Sequence, residues 1–231
     1  MSRFQKQNIL PGFGKQAQKK LNESSVLLVG AGGLGCPALL YLAAAGIGKI
    51  GVADGDVIEE SNLSRQVLYG ENDIGKMKAD IACKCINEKY SDVNTEPFNY
   101  RINTINVEEV IRPYFLVLDC TDNEETRYLL DEACAKQGKA LVYGAVHRYQ
   151  GQVSVFRYNN GAGYRDWFPE TEVNENGSCT NDGVWSILPG QVGLMMATEA
   201  VKIISGCGLP LSDKLWVYDA LSGESSVHLL R

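Results

Sequence analysis

Residues 26–56 read VLLVGAGGLGCPALLYLAAAGIGKIGVADGD, and no other stretch restricts the possible folds as strongly. Val26-Leu27-Leu28-Val29 is a short apolar run of the kind that forms a fully buried strand. It leads directly into Gly30-Ala31-Gly32-Gly33-Leu34-Gly35, which fits G-x-G-x-x-G. The helix expected next is apolar on nearly every side (Leu39, Leu40, Leu42, Ala43, Ala44), and a second strand over residues 50–53 ends on Asp54. Glycines at these positions allow a tight turn and a close approach of backbone amides to a phosphate. The helix N-terminus adds partial positive charge, and an acid about 20 residues on can hold a ribose hydroxyl. Asp54 stands at that distance, whereas Asp56 reads as a turn residue. The unit implies a nucleotide and leaves its chemistry open, because this fold hosts many functions.

The remaining chain follows the same rhythm. Residues 1–25 are polar with spaced apolar positions, divided by Pro11-Gly12 into two short helical pieces, an arm suited to packing over the domain or a partner subunit. Residues 59–66 form a polar loop or short helical turn. Asn72-Asp73 is expected to cap a helix over residues 75–90. A third strand is predicted within 94–100, a helix over 107–111, and a buried strand over 115–118. A helix over 124–137 closed by Gly138 and a fifth strand over 140–143 complete an alternation typical of a doubly wound parallel sheet. Residues 152–158 then arrive without an intervening helix and should pair antiparallel. Residues 159–183 lack a clear period and read as a functional or mobile loop. A helix over 192–205 closed by Gly206 and strands over 215–218 and 225–230 finish the chain. The expected architecture is α/β: a Rossmann-like, largely parallel sheet extended by antiparallel C-terminal strands, in a single domain over 1–231.

Composition excludes several classes. With 231 residues, 45% of them hydrophobic, the chain can bury one sizeable core. A net charge of −6 argues against a sequence-independent nucleic-acid binder. No apolar run reaches the ~18 residues of a membrane span, and the start MSRFQKQN lacks a signal-peptide core. Seven cysteines without a C-x-x-C pair fit a reducing cytoplasm better than a disulfide framework. With His147 and His228 alone, a histidine-built zinc site is disfavoured.

Polar residues near the expected strand ends narrow the chemistry. Asn62, Arg65 and Lys78 follow the ribose acid, and cations there suit a polyphosphate better than a hydride-transfer cofactor. Lys78 alone would pass for a solvated helix residue, as Lys76 and Lys84 do. Asp119 and Asp122 lie at the mouth of the fourth strand, where a carboxylate can bind Mg²⁺ together with phosphates. Of the two, Asp119 is the one expected to be structural.

Together with the glycine loop, Asp54-x-Asp56, Ser61-Asn62-Leu63-Ser64-Arg65-Gln66, Gly75-Lys76-Met77-Lys78 and Leu118-Asp119-Cys120-Thr121-Asp122-Asn123 resemble the ThiF/MoeB/HesA family, relatives of the ubiquitin-activating enzymes. The resemblance runs from Arg3 to Ala220. It implies a homodimer that adenylates the C-terminal Gly-Gly carboxylate of a small ubiquitin-like sulfur carrier with ATP, releasing pyrophosphate. Gly30, Gly32, Gly33 and Gly35 would then face phosphate. Asp54 would hold ribose, with Asn62 and Gln66 in the nucleotide set. Arg65 and Lys78 would stabilise the phosphates and Asp122 would hold Mg²⁺. The family's arm arginine, which reaches across the dimer, corresponds here to Lys6, a point charge without the bidentate fork. Such chemistry needs no general base, because the carboxylate is already a nucleophile. Cys179 aligns with a loop cysteine that can bond to the carrier in sulfur transfer, although other family members dispense with it. The remaining six cysteines read as packing, and Arg127 as a support behind Asp122.

Two departures stand out. Many family members hold zinc with two C-x-x-C pairs; the first is Gly163-Tyr164-Arg165-Asp166 here, and the second would lie past Arg231. With no rhodanese-like domain appended, sulfur is expected from an external donor such as a cysteine desulfurase or a rhodanese. Other readings stay open: adenylation of a small-molecule, peptide or tRNA-linked group, an NAD-binding oxidoreductase or sensor, and an idle scaffold. Metal analysis of the purified protein is expected to find no stoichiometric zinc; one zinc per chain would overturn this.

Overall fold

The computed structural model describes residues 3–170 and 183–229. Eight strands form one sheet in the order β3-β2-β1-β4-β5-β6-β7-β8. β1 (Ser25–Val29), β2 (Lys49–Ala53), β3 (Asn94–Phe98), β4 (Leu116–Asp119) and β5 (Ala140–His147) pair parallel. β6 (Gln150–Phe156), β7 (Lys214–Asp219) and β8 (Ser225–Leu229) add antiparallel. The expected α/β architecture is the one observed.

The strand alternation explains the two cores. Val26 and Leu28 of β1 enter one apolar layer with α3 (Gly35–Ala45) and α8 (Leu188–Ser205). Leu27 and Val29 enter the other, beneath α5 (Val107–Ile111) and α6 (Glu124–Gln137). α3 is apolar on most sides because the sheet covers one side and α8 another. The arm, α1 (Gln5–Asn8) and α2 (Gly14–Glu23), folds onto its own chain: Gln7 and Gln18 donate to the Ala45 carbonyl at the C-terminus of α3, and Lys20 donates to the Ser205 carbonyl.

Three sequence expectations need correction. Asn72-Asp73 does not cap the following helix but belongs to a separate 3-10 turn, Glu71–Asp73. Gly75, at φ +84°, turns the chain, and Gly75 and Lys76 exchange backbone hydrogen bonds with Ile58, so 75–77 are held out of the helix. α4 (Lys78–Lys89) therefore begins at Lys78. β5 runs on to His147 because it continues as a hairpin with β6, turning at Arg148 (φ +51°). α8 starts at Leu188, with Pro189 in its first turn, where a missing N–H costs nothing.

The stretch read as a functional or mobile loop, residues 159–183, includes a short helix. α7 (Tyr164–Trp167) occupies the Gly163-Tyr164-Arg165-Asp166 position. Tyr164 packs against Tyr128, Tyr143, Phe156 and Phe168, and Arg165 pairs with Glu132 and Glu170. Cys179 lies outside the described residues.

Gly51 shows how tightly the sheet is covered. A Cβ there would lie 2.3 Å from the Tyr114 hydroxyl, and Tyr114 is buried and donates to Glu96. Gly51→Ala is expected to cost about 1–3 kcal/mol, read as a lower denaturant midpoint with an unchanged slope.

Candidate active site

Pairing in register brings the carboxyl ends of the central strands level: Val29 lies opposite Ala53 on one side and Asp119 on the other. The strand order reverses between β1 and β4, which in open α/β sheets opens a crevice. A cleft of about 950 Å³ occupies that place, a size suited to a small ligand.

The glycine loop forms its floor. Gly30 has φ +93°, and a Cβ there would lie 2.7 Å from the Cys120 carbonyl oxygen, so only glycine fits. Gly32 and Gly33 line the cleft; bare Gly33 lets Pro189 at the start of α8 close over the loop. Gly35 lies behind, in the first turn of α3, where a Cβ would strike the Gly30 carbonyl oxygen.

Asp54 locks the loop from the next strand. Its Oδ2 accepts the Ala31 N–H at 2.7 Å and its Oδ1 the Asp56 N–H at 2.8 Å. Burial lifts its carboxyl above the ordinary pKa, against the lowering effect of those two donors. Tyr69, unnoticed in the sequence, donates to the Ala31 carbonyl at 2.7 Å and approaches the Lys78 carbonyl at 3.3 Å, joining the loop to α4. Burial raises the Cys36 thiol to about 12, an inert group.

The cations come from three directions. Lys78, buried at the first position of α4, places Nζ 3.2 Å from Asp56 Oδ2. Arg65 is half-buried, and its Nη1 donates to the Ser61 carbonyl. Arg101, which follows β3 and was not singled out in the sequence, places Nη2 2.9 Å from Asp56 Oδ1. Asp56 is thus more than a turn residue. Burial opposes its ionisation, yet the hydrogen bonds and charges of Arg101 and Lys78 outweigh it and hold the carboxyl below its usual range. A signal for Asp56 was present in the Asp54-x-Asp56 spacing; nothing local pointed to Arg101.

Gln66 lines the cleft and is 4% exposed, with its Oε1 buried and unpartnered among the described residues. A buried amide oxygen in that state suits a ligand donor. Asn62 is not brought to the cleft: its Oδ1 accepts the Glu59 N–H inside the 3-10 turn Glu60–Asn62. Lys6 is exposed on α1, at the end of α3 away from the glycine loop, roughly 16 Å of helix distant.

Beyond β4 the two aspartates separate. Asp119 is fully buried, and its Oδ1 accepts the Thr121 N–H at 3.0 Å and hydroxyl at 2.6 Å. Asp122 is exposed in the cleft and takes no hydrogen bond or ion pair among the described residues. Arg127 supports the turn between them, donating from Nη2 to the Thr121 carbonyl at 3.0 Å and lying over the Tyr143 ring. From here the cleft continues along α6 past Glu125, Leu129 and Glu132. In all, three cations line it (Arg65, Lys78, Arg101) against five carboxylates (Asp54, Asp56, Asp122, Glu125, Glu132). A polyphosphate entering there would need further positive charge, and an exposed carboxylate such as Asp122 can share a divalent cation with phosphate oxygens. Among the described residues no three His, Cys, Asp or Glu side chains are grouped to hold a metal by themselves.

The sequence model of the ThiF family matches residues 4–231. The chain is 48% identical over 223 residues to "Probable molybdopterin-synthase adenylyltransferase" of Porphyra purpurea, covering 96% of this chain and 58% of the relative. It is 42% identical to "Adenylyltransferase and sulfurtransferase MOCS3" of Xenopus laevis (96% and 49%), and 44% identical to "Sulfur carrier protein adenylyltransferase" of Thermus thermophilus (97% and 85%). It thus spans about half the length of the first two. Among solved structures, E. coli MccB with ATP superposes at a TM-score of 0.81 with 18% identity, covering 94% of this chain and 66% of that one. PaaA superposes at 0.79 with 22% identity, covering 94% and 67%. At these identities the likeness speaks for the fold.

Asp54→Ala is expected to leave the Ala31 and Asp56 amides unpaired, lowering stability by roughly 1–3 kcal/mol. Amide hydrogen exchange at both residues should accelerate; Asp54→Asn, which keeps an acceptor, should lose less.

Proposed function

The chain belongs to the ThiF family, and from that premise we propose that it is an adenylyltransferase acting on the C-terminal Gly-Gly carboxylate of a ubiquitin-like sulfur carrier, with ATP as co-substrate. The observation that carries the proposal is the convergence of Arg65, Lys78 and Asp122 on a glycine-lined cleft that Asp54 also lines. Hydride transfer has no use for that set; in-line attack on an α-phosphate does.

In this proposal the triphosphate lies along Gly30, Gly32 and Gly33, and Gln66 Oε1 accepts a ligand donor. Lys78 and Arg65 stabilise charge as the carboxylate oxygen attacks and pyrophosphate departs. Asp122 would hold Mg²⁺, which supplies the charge neutralisation that the acidic lining withholds. The carrier's tail would enter along α6, past Leu129 and Val146. Lys6 of the partner subunit would complete the phosphate site in a homodimer, since its own chain keeps it at the far end of α3. Cys179 is the residue to test for covalent sulfur transfer, with molybdopterin or thiamine synthesis as the setting and an external sulfur donor. The carrier is preferred to a small carboxylate because the relatives above 40% identity bear names for that chemistry.

Pyrophosphate exchange into ATP should require both Mg²⁺ and a purified small protein ending in Gly-Gly. Exchange without a carrier would favour a small-molecule substrate, and NAD binding without ATP binding would overturn the proposal. Asp122→Asn should lower carrier-dependent exchange about 100-fold and raise the Mg²⁺ concentration needed for half-maximal rate.

A further inference from the structure

Two cationic side chains from separate segments meet at one carboxylate. Asp56 follows β2, Lys78 opens α4 and Arg101 follows β3, and all three line the cleft. The Asp56 carboxylate is divided between the other two, one oxygen to each. Their surroundings differ sharply: the Lys78 side chain is 9% exposed and the Arg101 side chain 83%. Lys78 is also tethered through its backbone, its N–H donating to the Asp56 carbonyl at 3.0 Å. The buried cation next to the glycine loop therefore already has an anion, from the chain itself.

A phosphate that engages Lys78 must compete with Asp56 for it, and a carboxylate left unpaired beside a polyphosphate would repel it. Arg101 answers both difficulties. Its guanidinium already holds the second Asp56 oxygen, and its planar fork can take both oxygens at once. Its exposure leaves it free to make that adjustment.

We propose that Asp56 competes with nucleotide phosphate for Lys78, and that Arg101 is a positioning residue that decides the competition by holding the Asp56 carboxylate when Lys78 turns to phosphate. The inference rests on ATP being the ligand of this cleft. It gives Asp56 and Arg101 a part in nucleotide affinity without direct contact with phosphate.

Isothermal titration of the full chain with ATP and Mg²⁺ tests it, with thermal melting to verify folding of each variant. Arg101→Ala should weaken ATP binding about fivefold, the size of an exposed ion pair, because Asp56 then stays on Lys78. Asp56→Asn, nearly isosteric, should tighten binding. The double variant should bind within about twofold of Asp56→Asn, since no carboxylate remains to be held. Arg101→Lys should recover most of the loss. Adenosine, which has no phosphate, should bind all variants alike. A double variant as weak as Arg101→Ala, or an equal loss of adenosine and ATP, would overturn the inference. Wild-type protein that binds no ATP would instead overturn the proposed function on which it rests.

Discussion

Parallel pairing of β1 with both β2 and β4 is the constraint on which everything else hangs. Because Val29 faces Ala53 on one side and Asp119 on the other, three segments leave the sheet at one level. The ladder runs one residue further, with the Gly30 N–H donating to the Ala53 carbonyl and the Cys120 N–H to the Val29 carbonyl. That continuation brings Gly30 against the Cys120 carbonyl and forbids a side chain there. It also sets the Asp54 carboxylate beside the Ala31 amide. A slip of one residue in either pairing would exchange the two apolar faces and separate these groups together.

On this frame the electrostatics are less simple than a basic pocket awaiting phosphate. Carboxylates outnumber cations along the cleft, and most have an occupation: Asp54 on backbone amides, Asp56 on Lys78 and Arg101, Glu132 on Arg165. Asp122 and Glu125, both exposed, take no hydrogen bond or ion pair among the described residues. Placing cations against internal anions keeps a buried lysine from standing unpaired, and it makes affinity for an incoming anion a matter of exchange.

Much of this was legible in the chain because it is local. The run into the glycine loop, the spacing to Asp54, and the caps at Gly138 and Gly206 each depend on residues within a few positions of one another. The start of α4 was not, because Gly75–Met77 are taken from the helix by a bridge to Val57 and Ile58, some 18 residues earlier. That same bridge turns Lys78 inward. Asn62, grouped by motif with Arg65 and Gln66, lies outside the cleft because its amide is engaged in its own turn. Tyr69 and Arg101 carried no local pattern, since Tyr69 joins the glycine loop to the start of α4 and Arg101 reaches Asp56, 45 residues earlier.

The amino-acid order by itself determined the class of fold, the position of the glycine loop and the residue types that gather near it, because periodicity, glycine spacing and capping act over short range. Only the tertiary structure decided which of those residues share a cleft, which are spent on holding the backbone, and that Asp56 stands between two cations. The reason is physical: a side chain's charge matters through its distance to other charges and through burial, and both are set where segments far apart in sequence meet.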